Sequence, residues 1–241
     1  MNARIMQIEF ERLVQLANPK FEYLDKIDSD TIFYFINAAQ ERFIKQSFVQ
    51  VDSVAKDSNS YNKLLDVCKS LITTIILENG TQNQFYLYSK VFELPDSIDN
   101  KFYIYLNSFS TITNISDGTH TENIANNKLI SSVDVNKILV TNTNNPILRN
   151  PCAVLNSSSE KSSITIYTDK YTNLKNCCIS YIRKPLDVNV IEKVGCTTTC
   201  ELDSNVHREL IEMAVDMFIR EGVYRLSDNT QSNKQSNNDN Q

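Results

Sequence analysis

The side chains with the most obvious chemical potential lie close together near the C-terminal end of the chain. Cys196-Thr197-Thr198-Thr199-Cys200 precedes His207, and two thiolates with an imidazole are ligands that zinc accepts. A structural zinc site needs a fourth ligand, commonly from a second closely spaced cysteine pair. The other cysteines are Cys68, Cys152, Cys177 and Cys178, and the adjacent Cys177 and Cys178 would point to opposite faces of a strand. Cys200 is therefore read as a buried strand residue ahead of a helix, and His207 as part of that helix's first turn. A Cys–His nucleophile needs a base within hydrogen-bond reach and a lowered thiol pKa; the spacing supplies neither. His120, within Asp117-Gly118-Thr119-His120-Thr121, reads as a loop tip. Glu209 and Glu212 fall beside an apolar helical stripe, where a solvated or interface charge is expected rather than acid–base work. No catalytic residue, cofactor-binding residue or metal ligand is assigned, and the chain is expected not to be an enzyme.

Composition narrows the chemistry further. The four glycines, Gly80, Gly118, Gly195 and Gly222, are scattered. A phosphate cradle needs them clustered, so that backbone N–H groups converge on the anion without a Cβ in the way; neither a P-loop nor a dinucleotide fingerprint can be built. Two histidines exclude a multi-histidine metal centre. The aromatic runs Phe85-Tyr86-Leu87-Tyr88 and Phe102-Tyr103-Ile104-Tyr105 could stack bases, but no basic groove accompanies them. They suit strand packing and subunit contact instead. The net charge of −5 is unfavourable for sequence-independent binding of nucleic acid. Six cysteines in 241 residues are too few for a disulfide scaffold. The first residues lack a signal-peptide core and no stretch is long and apolar enough to span a bilayer, so a protein of a reducing compartment, away from membranes, is expected.

The pattern of apolar residues gives the elements that carry these groups. Asn2 can cap a helix over 3–17, with Met6, Phe10, Leu13, Val14 and Ala17 on one face. Asp28 or Ser29 can cap a longer helix over 30–48, with a stripe of Ile32, Phe33, Ile36, Ala39, Phe43, Ile44 and Phe48, and with Gln40, Glu41 and Lys45 on the other side. A short third helix is expected near 60–70. The period then changes. Strands are expected at 71–76, 84–94, 101–112, 138–140, 164–167 and 177–183, with Asn79-Gly80 as a turn and polar loops between. Strands without intervening helices point to an antiparallel sheet, sandwich or barrel. After Gly195 a helix capped by Asp203 or Ser204 runs to about 224, with Val206, Leu210, Ala214, Met213, Met217 and Phe218 on one face. Glu212, Asp216 and Arg220 follow one another at four-residue spacing on another face. Ser227 to Gln241 contains no apolar residue and is expected to be disordered in isolation.

The resulting fold class is α+β: N-terminal helices, a central antiparallel β-domain (sandwich or barrel), and a C-terminal helix with an extended polar tail. The boundaries fall at 1–70, 71–200, 201–226 and 227–241.

Three stretches, in this order and spacing, resemble tail-connector proteins of crAss-like and related podoviruses of gut Bacteroidales. The first is Met6-Gln7-Ile8-Glu9-Phe10-Glu11-Arg12-Leu13, followed by Thr31-Ile32-Phe33-Tyr34-Phe35-Ile36-Asn37-Ala38-Ala39-Gln40-Glu41-Arg42-Phe43-Ile44-Lys45. The second is Ile179-Ser180-Tyr181-Ile182-Arg183-Lys184-Pro185, and the third runs from Cys200-Glu201-Leu202 through His207-Arg208-Glu209-Leu210 to Val215. The likeness covers both ends and one strand of the middle. Asp203-Ser204 stands where the family pattern has a Leu-Pro turn.

The resemblance implies a ring of twelve copies, a head–tail connector or tail-barrel ring stacked below the portal, in contact with portal and other tail-barrel proteins. It implies a virion protein, assembled in the host cytoplasm, through whose channel DNA passes without specific binding. Twelve copies of an acidic chain would make a wall that repels DNA. Ring contacts are heterologous, one face of a subunit meeting a different face of the next, and a polar tail would be ordered by lying on a neighbour. Glu212, Asp216, Arg220, Ser227 and Gln241 are the interface candidates. The competing class is a tail-associated β-domain adhesin or host-surface binding module.

Overall fold

The chain folds as α+β, with helices at both ends of the sequence and strands between them. The computed structural model describes residues 1–17, 27–53, 65–99, 101–114, 122–135, 137, 151–157, 161–191 and 196–235. Two compact units are present: Met1–Leu71 with Pro185–Gln241, and Ile72–Lys184. The compact β unit closes at Lys184, and the segment from Pro185 on, with the C-terminal helix, groups with the N-terminal helices.

In the first unit, helix α1 (Ala3–Ala17) begins where the Asn2 side chain accepts the N–H of Ile5 at 2.9 Å, satisfying an otherwise orphaned donor. Its buried face is Ala3, Met6, Phe10 and Val14. Helix α2 (Ser29–Ser53) runs further than its apolar stripe predicts. Helix α3 (His207–Gln235) follows a 3-10 turn, Ser204–Val206, capped by the Asp203 carboxylate, which accepts the N–H of Asn205. Leu210, Ile211, Ala214 and Val215 are its buried residues. The Phe218 ring meets Phe10 edge-on at 5.7 Å and Phe35 at 5.4 Å, so one residue of α3 ties α1 to α2.

Three expectations change here. Gln40, placed on the polar side of α2, is buried; its Nε2 donates to Asn37 Oδ1 at 2.9 Å and its Oε1 accepts from the Cys200 thiol at 3.3 Å. A buried amide is tolerated because it is satisfied. Asn37 in turn clasps the backbone of Val188, accepting its N–H at 2.8 Å and donating to its carbonyl at 3.2 Å. Strands β10 (Asn189–Ile191) and β11 (Cys196–Thr198), unforeseen in the sequence, pair antiparallel in this unit. Finally, α3 continues to Gln235, into the stretch expected to be a disordered tail. Extending a nucleated helix fixes one residue per new hydrogen bond, whereas starting one fixes several. Residues 236–241 lie outside the described residues, as do the expected strand at 138–140 and residues 60–64 of the expected helix at 60–70, whose described remainder is helical over 65–67 and 3-10 over Lys69–Leu71.

The second unit is a two-sheet sandwich. One sheet has the order β1 (Ile72–Leu77), β9 (Thr172–Arg183), β4 (Phe102–Asn114), β5 (Glu122–Asn126). The other runs β2 (Thr81–Gln82), β3 (Ser89–Glu93), β8 (Ser162–Tyr167), β7 (Cys152–Ser157), β6 (Lys128–Leu129). All pairings are antiparallel except β6 with β7. Leu77, Phe92, Leu94, Ala153, Ile164, Ile166, Leu174, Cys177, Ile179 and Tyr181, drawn from both sheets, form the core. Alternation sends Ile164 and Ile166 inward and Thr165 and Tyr167 outward, yet all four are buried. Val135, Tyr86 and Ile130 cover the outer side around Cys152, Val154 and Tyr167. The expected strand over 84–94 is confined to β3, and Phe85 to Tyr88 form an irregular connection.

Among the described strands the chain changes sheets at four points, after β1, β3, β5 and β8, and two of them carry a device of their own. Between β5 and β6, Asn127 is buried; its Nδ2 donates to Ser108 Oγ at 3.0 Å and its N–H to the Ser108 carbonyl at 3.0 Å. Between β1 and β2 lies Gly80, where a Cβ would stand 2.7 Å from the Phe92 ring. Phe92 is buried in the core, so its ring would have to shift against its packing neighbours. Gly80→Ala is expected to destabilise by about 1–3 kcal/mol through overpacking, read as a lower urea midpoint; an unchanged midpoint would mean that the Phe92 ring has room to move.

Candidate functional site

Three of the interface candidates come together in the first unit. Glu212, Asp216 and Arg220 lie on the face of α3 opposite Leu210, Ala214 and Phe218, as the helical period requires. With Glu209, Met213 and Met217 of α3, and Arg42 and Gln46 of α2, they line an open groove of about 290 Å³. The two thioethers form a half-buried floor, and charged groups of both signs form the rim. Glu212 accepts from Arg208 Nε at 3.0 Å, an exposed pair that contributes little to stability. Ser227 lies further along α3, and Gln241 lies outside the described residues.

Sequence reasoning found the charged side of this groove but not its floor or far wall. Met213 and Met217 were grouped with the buried stripe because they border it on the helical wheel. The structure leaves them half-buried, facing Arg42 and Gln46. Those two are four residues apart on the polar side of α2, a spacing that was available as a signal, but only the docking of α3 gives it a partner.

The residues that resembled a metal or nucleophile site are otherwise engaged. The Cys200 thiol is bonded to Gln40, and no group of three or more His, Cys, Asp or Glu positioned for a metal exists among the described residues. The Cys196 side chain and His120 lie outside what is described. Burial pushes the Cys68 thiol up to about 11 and the Cys177 thiol up to about 12. It raises those of Cys152, Cys178 and Cys200 as well. A thiol shifted this way is a weak nucleophile at neutral pH. Cys177 and Cys178 do point to opposite sides of β9, the first buried and the second half-exposed.

The aromatic runs divide. Phe102 stacks on Tyr181 at 5.0 Å and the Tyr105 hydroxyl bonds Ser108 Oγ at 2.9 Å, both within the sandwich. Phe85, Leu87 and Tyr88 are exposed, while Tyr86 turns inward to meet Tyr167 at 5.4 Å. The Tyr88 carbonyl accepts the N–H of Thr168 at 2.8 Å, which holds this connection beside the β8–β9 turn. There Lys170 Nζ lies 4.8 Å from the Tyr171 ring centroid. Among the described residues no helix is long and apolar enough to cross a membrane.

Comparison with known proteins adds no identification: no protein-family model matches the chain, and no curated protein matches it.

His207, the first residue of α3, is buried between two partners. Its Nε2 donates to the Leu202 carbonyl at 2.9 Å, leaving Nδ1 to accept from the Met1 ammonium at 2.8 Å. Burial lowers the imidazole below its ordinary value; the Leu202 carbonyl opposes this, the Met1 ammonium adds to it, and the Asp203 carboxylate opposes it. A folded-state pKa below the unfolded value of about 6.5 means that the unfolded chain takes up the proton first as pH falls. The stability His207 contributes is thus complete above about pH 6.5 and is lost below it. Thermal unfolding is expected to move to lower temperature between pH 7 and pH 5. His207→Gln, which keeps a donor and an acceptor but cannot titrate, is expected to flatten that interval. An equally steep loss in the variant would assign the pH response to other groups.

Proposed function

We propose that this chain is a structural subunit of a phage virion, one of twelve copies in a head–tail connector or tail-barrel ring below the portal. The observation that carries the reading is the α2–α3 groove: a methionine floor with a rim of mixed charge, on a helical face that the unit's own core leaves uncovered. Methionine adapts to a partner's shape, and a rim of both signs selects register more than raw affinity. The resemblance to tail-connector proteins at both ends of the chain covers α1 and parts of the two helices that build this groove. The described imidazole and every described thiol but the half-exposed Cys178 are bonded or buried, which suits a component that packs rather than reacts. In this reading the neighbours are further copies of the chain, the portal and other tail-barrel rings. The net negative charge lets DNA pass the channel without specific binding.

A second reading, a tail-associated module that binds a host surface, is favoured by the exposed Phe85, Leu87 and Tyr88 of the β unit. Contiguous exposed apolar groups mark interaction sites. Symmetry separates the two readings. Native mass spectrometry and negative-stain imaging, alone and with portal and tail-barrel proteins, are expected to show a closed ring; monomers under every condition would exclude it. The triple variant Glu212→Lys, Asp216→Lys, Arg220→Glu is expected to weaken the ring by about tenfold or more with the unfolding temperature of the single chain unchanged, since all three side chains are exposed.

A further inference from the structure

Helix α1 is apolar on two opposite faces. Met6, Phe10 and Val14 are buried against the unit, whereas Ile5, Ile8 and Leu16 are exposed, Leu16 to 68%. Ile5, Ile8, Arg12 and Leu16 follow one another at intervals of three and four residues, which aligns them in a stripe half a turn from the buried face. An exposed apolar stripe of this length is unfavourable in water and marks a covered surface. The α2–α3 groove lies on the other side of the same three-helix unit. The Phe218 ring points to α1, and Glu212, Asp216 and Arg220 point the opposite way.

We propose that the outer face of α1 of one copy seats in the α2–α3 groove of the next copy, Ile5, Ile8 and Leu16 lying on Met213 and Met217. This deepens the ring reading and rests on it. The dimensions agree: Ile5 to Leu16 and Glu209 to Arg220 are each about 16 Å of helix at 1.5 Å per residue. The charges agree as well. The groove holds Glu209, Glu212 and Asp216 against Arg42 and Arg220. Exposed Arg12, within the stripe, holds Glu9 at 2.7 Å, and exposed Arg4 lies beside it; Glu11, also beside the stripe, is bonded to Gln7. Arg4 is thereby the cation that reaches Glu209 or Asp216 of the neighbour. Two different faces on opposite sides of one unit form a heterologous contact, which propagates from copy to copy until it closes. A second copy is the occupant favoured by this match of length, charge and direction.

Site-directed cross-linking on the full chain tests the pairing. Ile8→Cys and Asp216→Cys both replace exposed residues. Mixed and treated with a short bis-maleimide, they are expected to give a covalent dimer that neither variant gives alone, and the double variant to give a ladder of covalent oligomers. Ile8→Asp is expected to weaken assembly by about tenfold or more with the monomer's melting temperature unchanged. Arg4→Glu is expected to weaken it too, and Asp216→Arg to restore it. Rings that form without the cross-link, or from Ile8→Asp as readily as from the wild type, overturn the pairing and leave the ring reading standing. A wild-type chain that stays monomeric, alone and with its virion neighbours, overturns both.

Discussion

The edge-on contacts of Phe218 with Phe10 and Phe35 are the constraint on which the rest of the structure depends. They join residues from the two ends of the sequence, so the helical unit exists only when α3 has returned to α1 and α2. Closing so long a loop costs entropy that grows only slowly with its length, and a shared aromatic core is large enough to offset it. The polar bonds beside the core serve the same closure. Gln40 holds Cys200, Asn37 holds Val188, and Ser70 Oγ donates to the Glu201 carbonyl. Each of these pairs links the segment before the β unit to the segment after it.

This closure also decides what kind of surface remains. Once α3 is fixed by Leu210, Ala214 and Phe218, the period of the helix sends Glu212, Asp216 and Arg220 outward and leaves Met213 and Met217 between. The groove is thus a by-product of the core's geometry rather than a separate construction. Its width is set by how Arg42 and Gln46 of α2 face across it. Among the described residues of this unit, Cys200 and His207 are held in hydrogen bonds of their own rather than turned toward a common point. What the helical unit presents instead is extended along helices.

Local patterns were legible in the sequence where a single element determines them. The caps at Asn2 and Asp203, the buried stripe of α1, the strands β1, β4, β8 and β9, and the opposed Cys177 and Cys178 all follow from period and side-chain chemistry. The features that escaped depend on distant partners. Gln40 reads as a surface amide until Asn37 and Cys200 come to it. Strand β7 has an unremarkable Cys-Ala-Val-Leu-Asn-Ser sequence and is strand because β8 lies beside it. Phe85 to Tyr88 carries a strand-like composition but is diverted, its backbone held by Thr168 and Tyr86 drawn onto Tyr167. The grouping of α3 with α1 and α2 is a long-range fact that periodicity does not encode. The groove inherits that limit, since one wall was readable and the other was not.

The β unit begins on β1 and ends on β9, and these strands are hydrogen-bonded neighbours, Ile72 opposite Ile182. Its two ends therefore stand about one strand spacing apart, close to 4.8 Å. A module whose two ends lie side by side makes few demands on its host. The helical unit needs only that Leu71 and Pro185 be delivered side by side, and any sandwich whose terminal strands pair could deliver them. The interior of the β unit can therefore change or lengthen without altering that delivery, provided that β1 and β9 still pair, whereas the two ends of the chain are tied to each other through Phe218.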